Sequence, residues 1–194
     1  MVAQADSAGA RPAVFLDRDG VLIEAVVIDG TPHPPPSVAE VRVIASAVEA
    51  CRRLRKAGFA LVVATNQPDV ARGTETLEVV HAINNVISEQ IEIDEFVECI
   101  HDDADDCECR KPRPGMLVAA AQHLGLDLRR SYMVGDRWRD VEAGRRAGCA
   151  TVFVDRGYTE RQPDHPDLVV TELAEAVPGI VATLATEKGA KPNA

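Results

Sequence analysis

Two carboxylates, Asp17 and Asp19, stand two residues apart directly after a short apolar segment at residues 13–16. An apolar run of this length predicts a buried strand, and the active sites of open α/β sheets lie where such strands end. A carboxylate there can serve as a nucleophile or a metal ligand, and a second one nearby can donate and accept protons. Because a polar turn or half of a calcium loop has the same composition, the pattern needs support from other parts of the chain.

Two later apolar segments also end in polar residues. Thr65 and Asn66 follow one of them, and Asp136 follows the other, with Asp140 four residues further on. Carboxylates gathered at one sheet edge raise each other's pKa unless a cation lies among them, and Mg²⁺ is the hard cation that their oxygens favour. The alternatives are that Thr65 and Asn66 form a helix cap or a turn, and that Asp136 caps the helix that follows it.

The segment 110–116 concentrates three basic residues and two prolines in an otherwise acidic chain. Arg110 and Lys111 could belong to a solvated surface, which is the usual place for such a pair. The prolines, however, stiffen the segment next to the N-terminus of a predicted helix, a position that suits anions. We therefore favour phosphate recognition, in which Lys111 would neutralise charge on a transferring phosphate.

Four candidate metal ligands fall within eleven residues: Cys99, His101, Cys107 and Cys109. Three thiolates and one imidazole complete a tetrahedral zinc site that has no open position, so the predicted Zn²⁺ is structural. Zinc binding would order this loop, residues 99–109, and with it the basic segment that follows directly. The alternative is a set of reduced cysteines in an acidic loop.

The elements that must position these residues alternate between strand and helix patterns, which predicts an α/β fold with a parallel sheet and helices on both faces. The predicted strands are 13–17, 59–64, 96–100, 131–134 and 151–154, with a candidate edge strand at 168–170. The predicted helices are about 38–57, capped by Ser37, and 74–91, 114–124 and 138–147. Residues 21–37 contain three successive prolines and predict an extended flap, too short for a separate cap domain. We expect a single domain over 13–184, flanked by flexible segments at 1–12 and 185–194.

Composition limits the classes of partner. With a net charge of −10 over 194 residues, the chain lacks the broad positive surface that nucleic acids and anionic lipids attract, so we expect no nucleic-acid or membrane partner. No apolar run approaches the roughly 20 residues of a membrane span, and the start of the chain lacks the pattern of a signal peptide. We therefore expect a cytoplasmic protein in which any anionic substrate is captured through local charges, and we expect the protein to be a monomer.

Four segments, taken in order, resemble the motifs of the haloacid dehalogenase (HAD) superfamily in its phosphatase branch: Asp17-Arg18-Asp19-Gly20, Thr65-Asn66-Gln67, Lys111-Pro112 and Gly135-Asp136. The resemblance covers about residues 13–157 and implies a three-layer Rossmann-like HAD fold with a zinc-binding loop and no large cap domain. The Asp-Arg-Asp-Gly sequence, Ala71-Arg72-Gly73 and the Cys-Arg-Lys-Pro sequence at 109–112 are similar to the D-glycero-D-manno-heptose 1,7-bisphosphate phosphatases. Histidinol-phosphate phosphatases are close relatives of that family.

The resemblance implies a catalytic role for four residues. Asp17 would attack phosphorus to form a phosphoaspartate, and Asp19 would protonate the leaving oxygen and later deprotonate the attacking water. Thr65 and Lys111 would hold the transferring phosphate. The implied reaction is Mg²⁺-dependent hydrolysis of a small sugar phosphate, with removal of the 7-phosphate of the heptose bisphosphate.

The resemblance also implies metal and substrate ligands. A catalytic Mg²⁺ would be bound by the Asp17 carboxylate, the Asp19 backbone carbonyl and Asp136. The residues expected to contact the remainder of the substrate are Asn66, Arg72 and Arg110. Two alternatives remain open: a phosphatase of the same branch that acts on histidinol phosphate or another small metabolite, and a catalytically inactive, zinc-stabilised binding module.

The sequence departs from the heptose phosphatase pattern at one point. Where many of these enzymes read Ser-Gly-Ile before Ala-Arg-Gly, this chain has Pro68-Asp69-Val70. The carboxylate of Asp69 would either repel a second phosphate or pair with Arg72 and leave recognition unchanged. We expect an open pocket shaped by the flap, the zinc loop and residues 66–73.

Overall fold

The computed structural model describes residues 10–189, and its centre is a parallel sheet of six strands. In chain order these strands are β1 (Ala13–Leu16), β4 (Ala60–Asn66), β5 (Glu95–Cys99), β6 (Tyr132–Gly135), β7 (Ala150–Val154) and β8 (Leu168–Val170). The remaining strands, β2 (Val26–Ile28) and β3 (Thr31–His33), pair as an antiparallel hairpin. The strands of the large sheet lie where the sequence predicts them, with ends shifted by at most two residues.

Across the sheet the strand order is β5-β4-β1-β6-β7-β8. The chain therefore extends outward from β1 in both directions, which makes the carboxyl end of β1 the switch point at which open α/β sheets form their ligand crevice. β1 pairs with both β4 and β6. Residues that follow these three strands are consequently brought to one place.

Five helices cover the sheet: α1 (Ala45–Ala57), α2 (Leu77–Ser88), α3 (Gly115–Leu124), α4 (Trp138–Ala147) and α5 (Leu173–Gly189). Buried side chains of α1, α2 and α5 pack with apolar residues of the strands in one core cluster. A second cluster contains buried residues of α3, and Ala147 at the end of α4 packs against it. Helices on both faces of a parallel sheet confirm the predicted three-layer α/β fold. None of the helices within residues 10–189 is long and apolar enough to cross a membrane.

The predicted flap is the β2–β3 hairpin. Its turn is formed by Asp29 and Gly30, which both adopt positive φ angles. The turn is held by the segment after β7, because the backbone NH of Thr159 donates to the carbonyl of Gly30 at 3.0 Å. The hairpin therefore has a fixed anchor beside the carboxyl end of the sheet.

One helix start was predicted wrongly. Residues 38–57 were expected to form a helix capped by Ser37, but α1 begins only at Ala45, after a short 3-10 helix at Val38–Glu40. The intervening backbone pairs with the chain after β1: Ile44 donates to Leu22 at 2.9 Å and Glu24 donates to Arg42 at 2.9 Å. This long-range pairing holds the residues before α1 in an extended conformation.

Helical structure and a long-range ion pair lie beyond the predicted limits of the domain at the two ends of the described chain. Helix α5 was not predicted, and Pro178 in its interior obscures the helical spacing of its buried residues. The helix extends to Gly189, into the segment expected to be a flexible tail. At the other end Arg11, placed in the expected flexible segment, accepts from Asp127 and forms an ion pair with Asp94 at 3.1 Å. Residues 1–9 and 190–194, the remainder of the two predicted flexible segments, lie outside the described residues.

Candidate active site

Three carboxylates meet at the carboxyl end of the sheet. Asp17 follows β1 and its backbone NH donates to Val134 of β6 at 2.9 Å, which fixes it beside the neighbouring strand. Asp136 follows β6, and Asp140 lies in the first turn of α4. One oxygen from each carboxylate lies within 4.8 Å of the others, and all three residues are buried. The structure thus brings together the carboxylates that the strand pattern placed at one edge.

Asp136 has the chemistry of an unsatisfied metal ligand. Both of its carboxylate oxygens are buried, and neither has a hydrogen-bond partner among residues 10–189. Burial raises the pKa of Asp136 well above its ordinary value, and the charges of Asp17 and Asp140 raise it further, while Tyr158 beside it opposes the shift. A divalent cation would offset this repulsion and supply the missing partner, so the donor set fits Mg²⁺.

Lys111 joins two of the carboxylates. Its Nζ lies 2.8 Å from Asp17 Oδ1 and 2.5 Å from Asp140 Oδ1, and it donates to the carbonyl of Ala64 at 2.8 Å. Burial alone would lower the pKa of this amine, but Asp140 and Asp17 outweigh burial and raise it. Lys111 is therefore a buried cation held against the candidate nucleophile, Asp17.

Both carboxylate oxygens of Asp140 accept from donors of the protein. Besides Lys111 at Oδ1, its Oδ2 accepts from the backbone NH of Arg137 at 2.9 Å. Burial raises the pKa of Asp140 to about 6, with Lys111 opposing the shift and Asp17 adding to it. Since both oxygens have partners, the residue orients Lys111, whereas Asp136 is the carboxylate left for a cation.

Asp19 lies outside the carboxylate cluster. Its Oδ2 accepts from Gln67 Nε2 at 3.0 Å and from Arg18 Nε at 3.1 Å. Gln67 Nε2 also donates to Thr65 Oγ1 at 2.9 Å, so the predicted phosphate ligand Thr65 and the predicted acid Asp19 share one donor. Neither Arg18 nor Gln67 was predicted to be a site residue. Their charged and amide side chains, next to candidate site residues in the sequence, were a signal. Only the folded chain shows which carboxylate they contact.

The glycine after Asp19 is required by space as well as by backbone conformation. Gly20 has a φ of +83°, and a Cβ there would lie 1.8 Å from Asp136 Oδ2. The absence of a side chain lets the loop pass directly over the carboxylate. Arg156 Nε also donates to the carbonyl of Gly20 at 2.8 Å, which ties the loop to the segment after β7.

Two residues of that segment, which sequence reasoning missed, reach the site. Tyr158 stands beside Asp136, and burial and the charge of Asp136 raise the pKa of its hydroxyl. Glu160 forms an ion pair with Arg137 at the start of α4. The position of this segment at the carboxyl end of β7 was the available signal, because neighbouring strand ends share one crevice.

The residues predicted to contact the remainder of the substrate surround a separate cleft. Asn66, Arg72 and Arg110 line a cavity of about 260 Å³ beneath the β2–β3 hairpin. Arg72 pairs with Asp102 at 2.7 Å and with Asp69 at 3.3 Å. The cavity is bounded by the flap, by the loop that contains the cysteines and by residues after β4, as the sequence predicted. It is lined by Thr31, Pro32, His33, Pro34, Asn66, Gln67, Pro68, Asp69, Arg72, Asp103, Arg110, Arg137 and Arg139.

The arginines that line the cleft form ion pairs with acidic residues, which partly neutralise their positive charge. Arg110 Nε donates to Asp103 Oδ1 at 2.7 Å, and Arg139 approaches the same oxygen at 3.2 Å. Asp69 pairs with Arg72, which is one of the two outcomes expected for this departure from the family pattern. The cleft therefore offers guanidinium groups that are already oriented by carboxylates of the loop at 99–109.

The four predicted zinc ligands form a compact cluster: Cys99, His101, Cys107 and Cys109. The Sγ atom of Cys109 lies 3.0 Å from that of Cys99, 3.4 Å from that of Cys107 and 3.2 Å from His101 Nδ1. The Sγ atom of Cys99 lies 3.6 Å from that of Cys107 and 3.7 Å from His101 Nδ1. With the usual Zn–S bond length, sulfur atoms of a tetrahedral site are about 3.8 Å apart, so a slight expansion of the cluster would accommodate a single Zn²⁺. Burial raises the pKa of the Cys99 thiol, and metal binding would reverse this by deprotonating it.

The chain is similar to many known proteins. The HAD-hydrolase-like family model matches residues 108–176. The D-glycero-D-manno-heptose-1,7-bisphosphate 7-phosphatase of Thermosynechococcus vestitus is 36% identical over 198 residues, which cover 90% of this chain and 98% of the relative. The D-glycero-beta-D-manno-heptose-1,7-bisphosphate 7-phosphatase of Pseudomonas aeruginosa is 39% identical over 161 residues, covering 80% and 88%.

A solved structure is similar over the same extent. The D,D-heptose 1,7-bisphosphate phosphatase of B. bronchiseptica, crystallised with magnesium and phosphate, superposes with a TM-score of 0.72 at 29% identity. The match covers 89% of this chain and 99% of that structure. The similarity therefore extends over most of this chain and nearly all of that structure.

Proposed function

Because the chain belongs to the HAD-like phosphatase family of the heptose-1,7-bisphosphate 7-phosphatases, we propose that it removes the 7-phosphate of D-glycero-D-manno-heptose 1,7-bisphosphate through a phosphoaspartate. The observation that carries this proposal is the pairing of buried Lys111 with Asp17 at 2.8 Å, next to Asp136, whose oxygens have no partner among the described residues. This combination supplies a nucleophile, a fixed cation and a place for a metal. An arginine-lined cleft adjoins it.

Asp17 is the nucleophile. Its backbone is fixed to β6, and Lys111 holds Oδ1, so the carboxylate is oriented before substrate arrives. As the bond from Asp17 to phosphorus forms, negative charge gathers on the phosphoryl oxygens. The ammonium of Lys111 and the hydroxyl of Thr65, both on buried side chains, stabilise that charge.

Asp19 is the acid and base. In its protonated form it gives a proton to the oxygen of the leaving sugar as the phosphorus–oxygen bond breaks. It then accepts a proton from the water that hydrolyses the phosphoaspartate. Gln67 Nε2 and Arg18 Nε donate to its carboxylate and orient it for both proton transfers.

Two metal ions belong to this proposal. Asp17, Asp136 and the backbone carbonyl of Asp19 would hold Mg²⁺, which when bound shields the nucleophile from the anionic phosphate. The cluster of Cys99, His101, Cys107 and Cys109 would hold a structural Zn²⁺. Arg110 and Lys111 follow the last zinc ligand directly, so the ordered loop would position both the substrate cleft and the catalytic lysine.

The cleft beneath the hairpin would receive the remainder of the sugar. Arg72 and Arg110 would contact a second phosphate or hydroxyl groups there, and Asn66 lines the same wall. Histidinol phosphate is the alternative substrate within the same branch, although Asp69 and Asp103, the carboxylates that line the cleft, are already paired with arginines. The further proposal of a cytoplasmic monomer rests on sequence composition alone.

The test is phosphate release, with Mg²⁺ and with EDTA, from both anomers of the heptose 1,7-bisphosphate, hexose bisphosphates and histidinol phosphate. We expect preference for a heptose bisphosphate and loss of turnover in Asp17→Asn. Asp164→Asn, an equal change at a carboxylate that is 75% exposed, is the matched control. Preference for histidinol phosphate would show that it, and not the heptose bisphosphate, is the substrate. No phosphate release from any substrate, with both metals present, would contradict the phosphatase assignment.

A further inference from the structure

Arg18 is the largest side chain that is fully buried in the described chain, with an exposed fraction of 0%. Arginine is rarely buried to this extent unless its charge is paired. Here the guanidinium donates to both oxygens of Asp19, with Nε 3.1 Å from Oδ2 and Nη2 3.4 Å from Oδ1. A two-pronged contact of this kind fixes the plane of a carboxylate as well as its position.

The remaining guanidinium nitrogen is anchored away from the site. Arg18 Nη1 donates to Asn84 Oδ1 at 3.2 Å, and Asn84 Nδ2 donates to Glu98 Oε1 at 2.6 Å. Asn84 lies on α2 and is buried, whereas Glu98 lies on β5. A continuous chain of hydrogen bonds therefore leads from Asp19 through Arg18 and Asn84 to the outer strand of the sheet.

The side chain of Arg18 does not maintain the turn that carries it. The turn is closed by backbone bonds, in which Leu22 and Ile23 donate to the Arg18 carbonyl at 3.0 and 3.1 Å. These bonds are independent of the residue type at position 18. The buried guanidinium therefore needs another explanation, and its only carboxylate partner among the described residues is Asp19.

We propose that Arg18, anchored by Asn84, is the positioning residue that holds the acid and base Asp19 in its productive orientation. The inference rests on the proposed phosphatase function and deepens it. In the first half-reaction the bond from Asp17 to phosphorus forms, the bond from phosphorus to the leaving oxygen breaks, and the proton of Asp19 passes to that oxygen. A misoriented Asp19 impairs only the proton transfer.

This role has a kinetic signature that a purely structural role lacks. An alkoxide leaving group needs the proton, whereas nitrophenolate and acetate leave readily without it. The ratio kcat/KM reports the steps through formation of the phosphoaspartate, before Asp19 acts as a base. Loss of positioning must therefore lower kcat/KM for an alkyl phosphate far more than for an aryl or acyl phosphate.

The experiment measures kcat/KM of wild-type enzyme and Arg18→Lys with heptose 1,7-bisphosphate, p-nitrophenyl phosphate and acetyl phosphate. Lysine keeps the charge but lacks the planar fork. We expect a fall of about 100-fold with the alkyl phosphate, the size of a general-acid contribution, and less than about 5-fold with the other two substrates. Equal falls with all three, or no fall with any, would overturn the inference.

A second variant guards against a folding defect at position 18. Asn84→Ala leaves the fork on Asp19 but removes its anchor, and we expect a fall of about 10-fold with the alkyl phosphate alone. Asn85→Ala, at the exposed neighbouring residue of α2, is the control and should leave kcat/KM unchanged with all three substrates. A wild-type enzyme that turns over none of the substrates would instead refute the phosphatase function on which the inference rests.

Discussion

The side-chain amide of Asn66 and the backbone of Lys111 form a reciprocal pair of hydrogen bonds. Asn66 Nδ2 donates to the Lys111 carbonyl at 3.0 Å, and Asn66 Oδ1 accepts from the Lys111 NH at 3.1 Å. Since Asn66 ends β4, this pair fixes the loop that carries Lys111 to the sheet edge. Sequence resemblance predicts a substrate contact for Asn66, and the structure adds this positioning contact with Lys111, the proposed catalytic lysine.

Replacing Asn66 with alanine should lower kcat while the protein remains folded. The loss of two hydrogen bonds costs about 1 kcal/mol each in stability, but a small displacement of Lys111 Nζ costs about 10- to 100-fold in rate. Steady-state kinetics and thermal unfolding measure the two effects. The control Asn85→Ala removes an exposed amide of the same size, and an unchanged kcat in Asn66→Ala would contradict the positioning role.

The principal site residues were accessible from sequence because their positions depend on strand ends alone. Apolar runs locate β1 and β6, and parallel pairing then requires Asp17 and Asp136 to meet. The cysteine and histidine spacing likewise specifies the cluster of candidate metal ligands within a single loop. Local patterns therefore sufficed wherever one element or two adjacent strands determine the contact.

Contacts that depend on three-dimensional packing could not be read in this way. A charged residue such as Arg18 between two aspartates is expected to face solvent, and only the packing of α2 against the sheet brings Asn84 to it. Tyr158 belongs to a segment without a charge pattern. The late start of α1 depends on pairing between Ile44 and Leu22, which no local propensity reveals.

Replacing Lys111 with methionine should abolish turnover and make stability depend on Mg²⁺. The change leaves Asp17, Asp136 and Asp140 buried without their cation, and breaking such a buried ion pair costs about 3–5 kcal/mol. Mg²⁺ would relieve the repulsion in the variant more than in the wild type. Thermal unfolding in EDTA and in Mg²⁺ measures this difference.

The exposed Lys56→Met is the control for the change of residue type. It should unfold as the wild type does, with the same small response to Mg²⁺. An Lys111→Met protein as stable as the wild type in EDTA would show that Lys111 does not neutralise the carboxylates.

Replacing Gly20 with alanine should abolish Mg²⁺ binding. The new Cβ would lie 1.8 Å from Asp136 Oδ2 and force this carboxylate aside. Gly73→Ala is a matched control, because Gly73 also has a positive φ but has nothing within 4 Å of the position of a Cβ. Both variants bear a backbone cost of about 1 kcal/mol, and calorimetric titration with Mg²⁺ should separate them. Equal Mg²⁺ affinities would contradict a metal-binding role for Asp136.

Asp94 should contribute stability that is lost in acid. Burial raises its pKa, but the Leu61 NH and the guanidinium groups of Arg11 and Arg55 outweigh burial and lower it. A carboxyl whose pKa is lower in the folded state stabilises the fold above its unfolded pKa, and this contribution disappears as pH falls through the folded value. Asp94→Asn should therefore be less stable than the wild type near neutral pH, and the difference should shrink below about pH 4.

Free energies of unfolding measured across this pH range test the assignment. Asp164→Asn is the control, because its ion pair with Arg161 is exposed on both sides and such pairs contribute little. A difference between Asp94→Asn and wild type that stays constant with pH would show that the hydrogen-bond geometry matters and the charge of Asp94 does not.

The cysteine cluster should hold one zinc ion per chain, and the loss of one ligand should unfold the loop at 99–109. Cys107→Ser should release the metal and lower the free energy of unfolding by about 3 kcal/mol or more, because zinc binding contributes directly to folding. Cys149→Ser tests a buried cysteine outside the cluster and should keep the zinc. Atomic emission measures zinc content, and a Cys107→Ser protein with full zinc content would contradict the assignment. Since Lys111 follows the last ligand by two residues, the zinc-free variant should also lose turnover even in excess Mg²⁺.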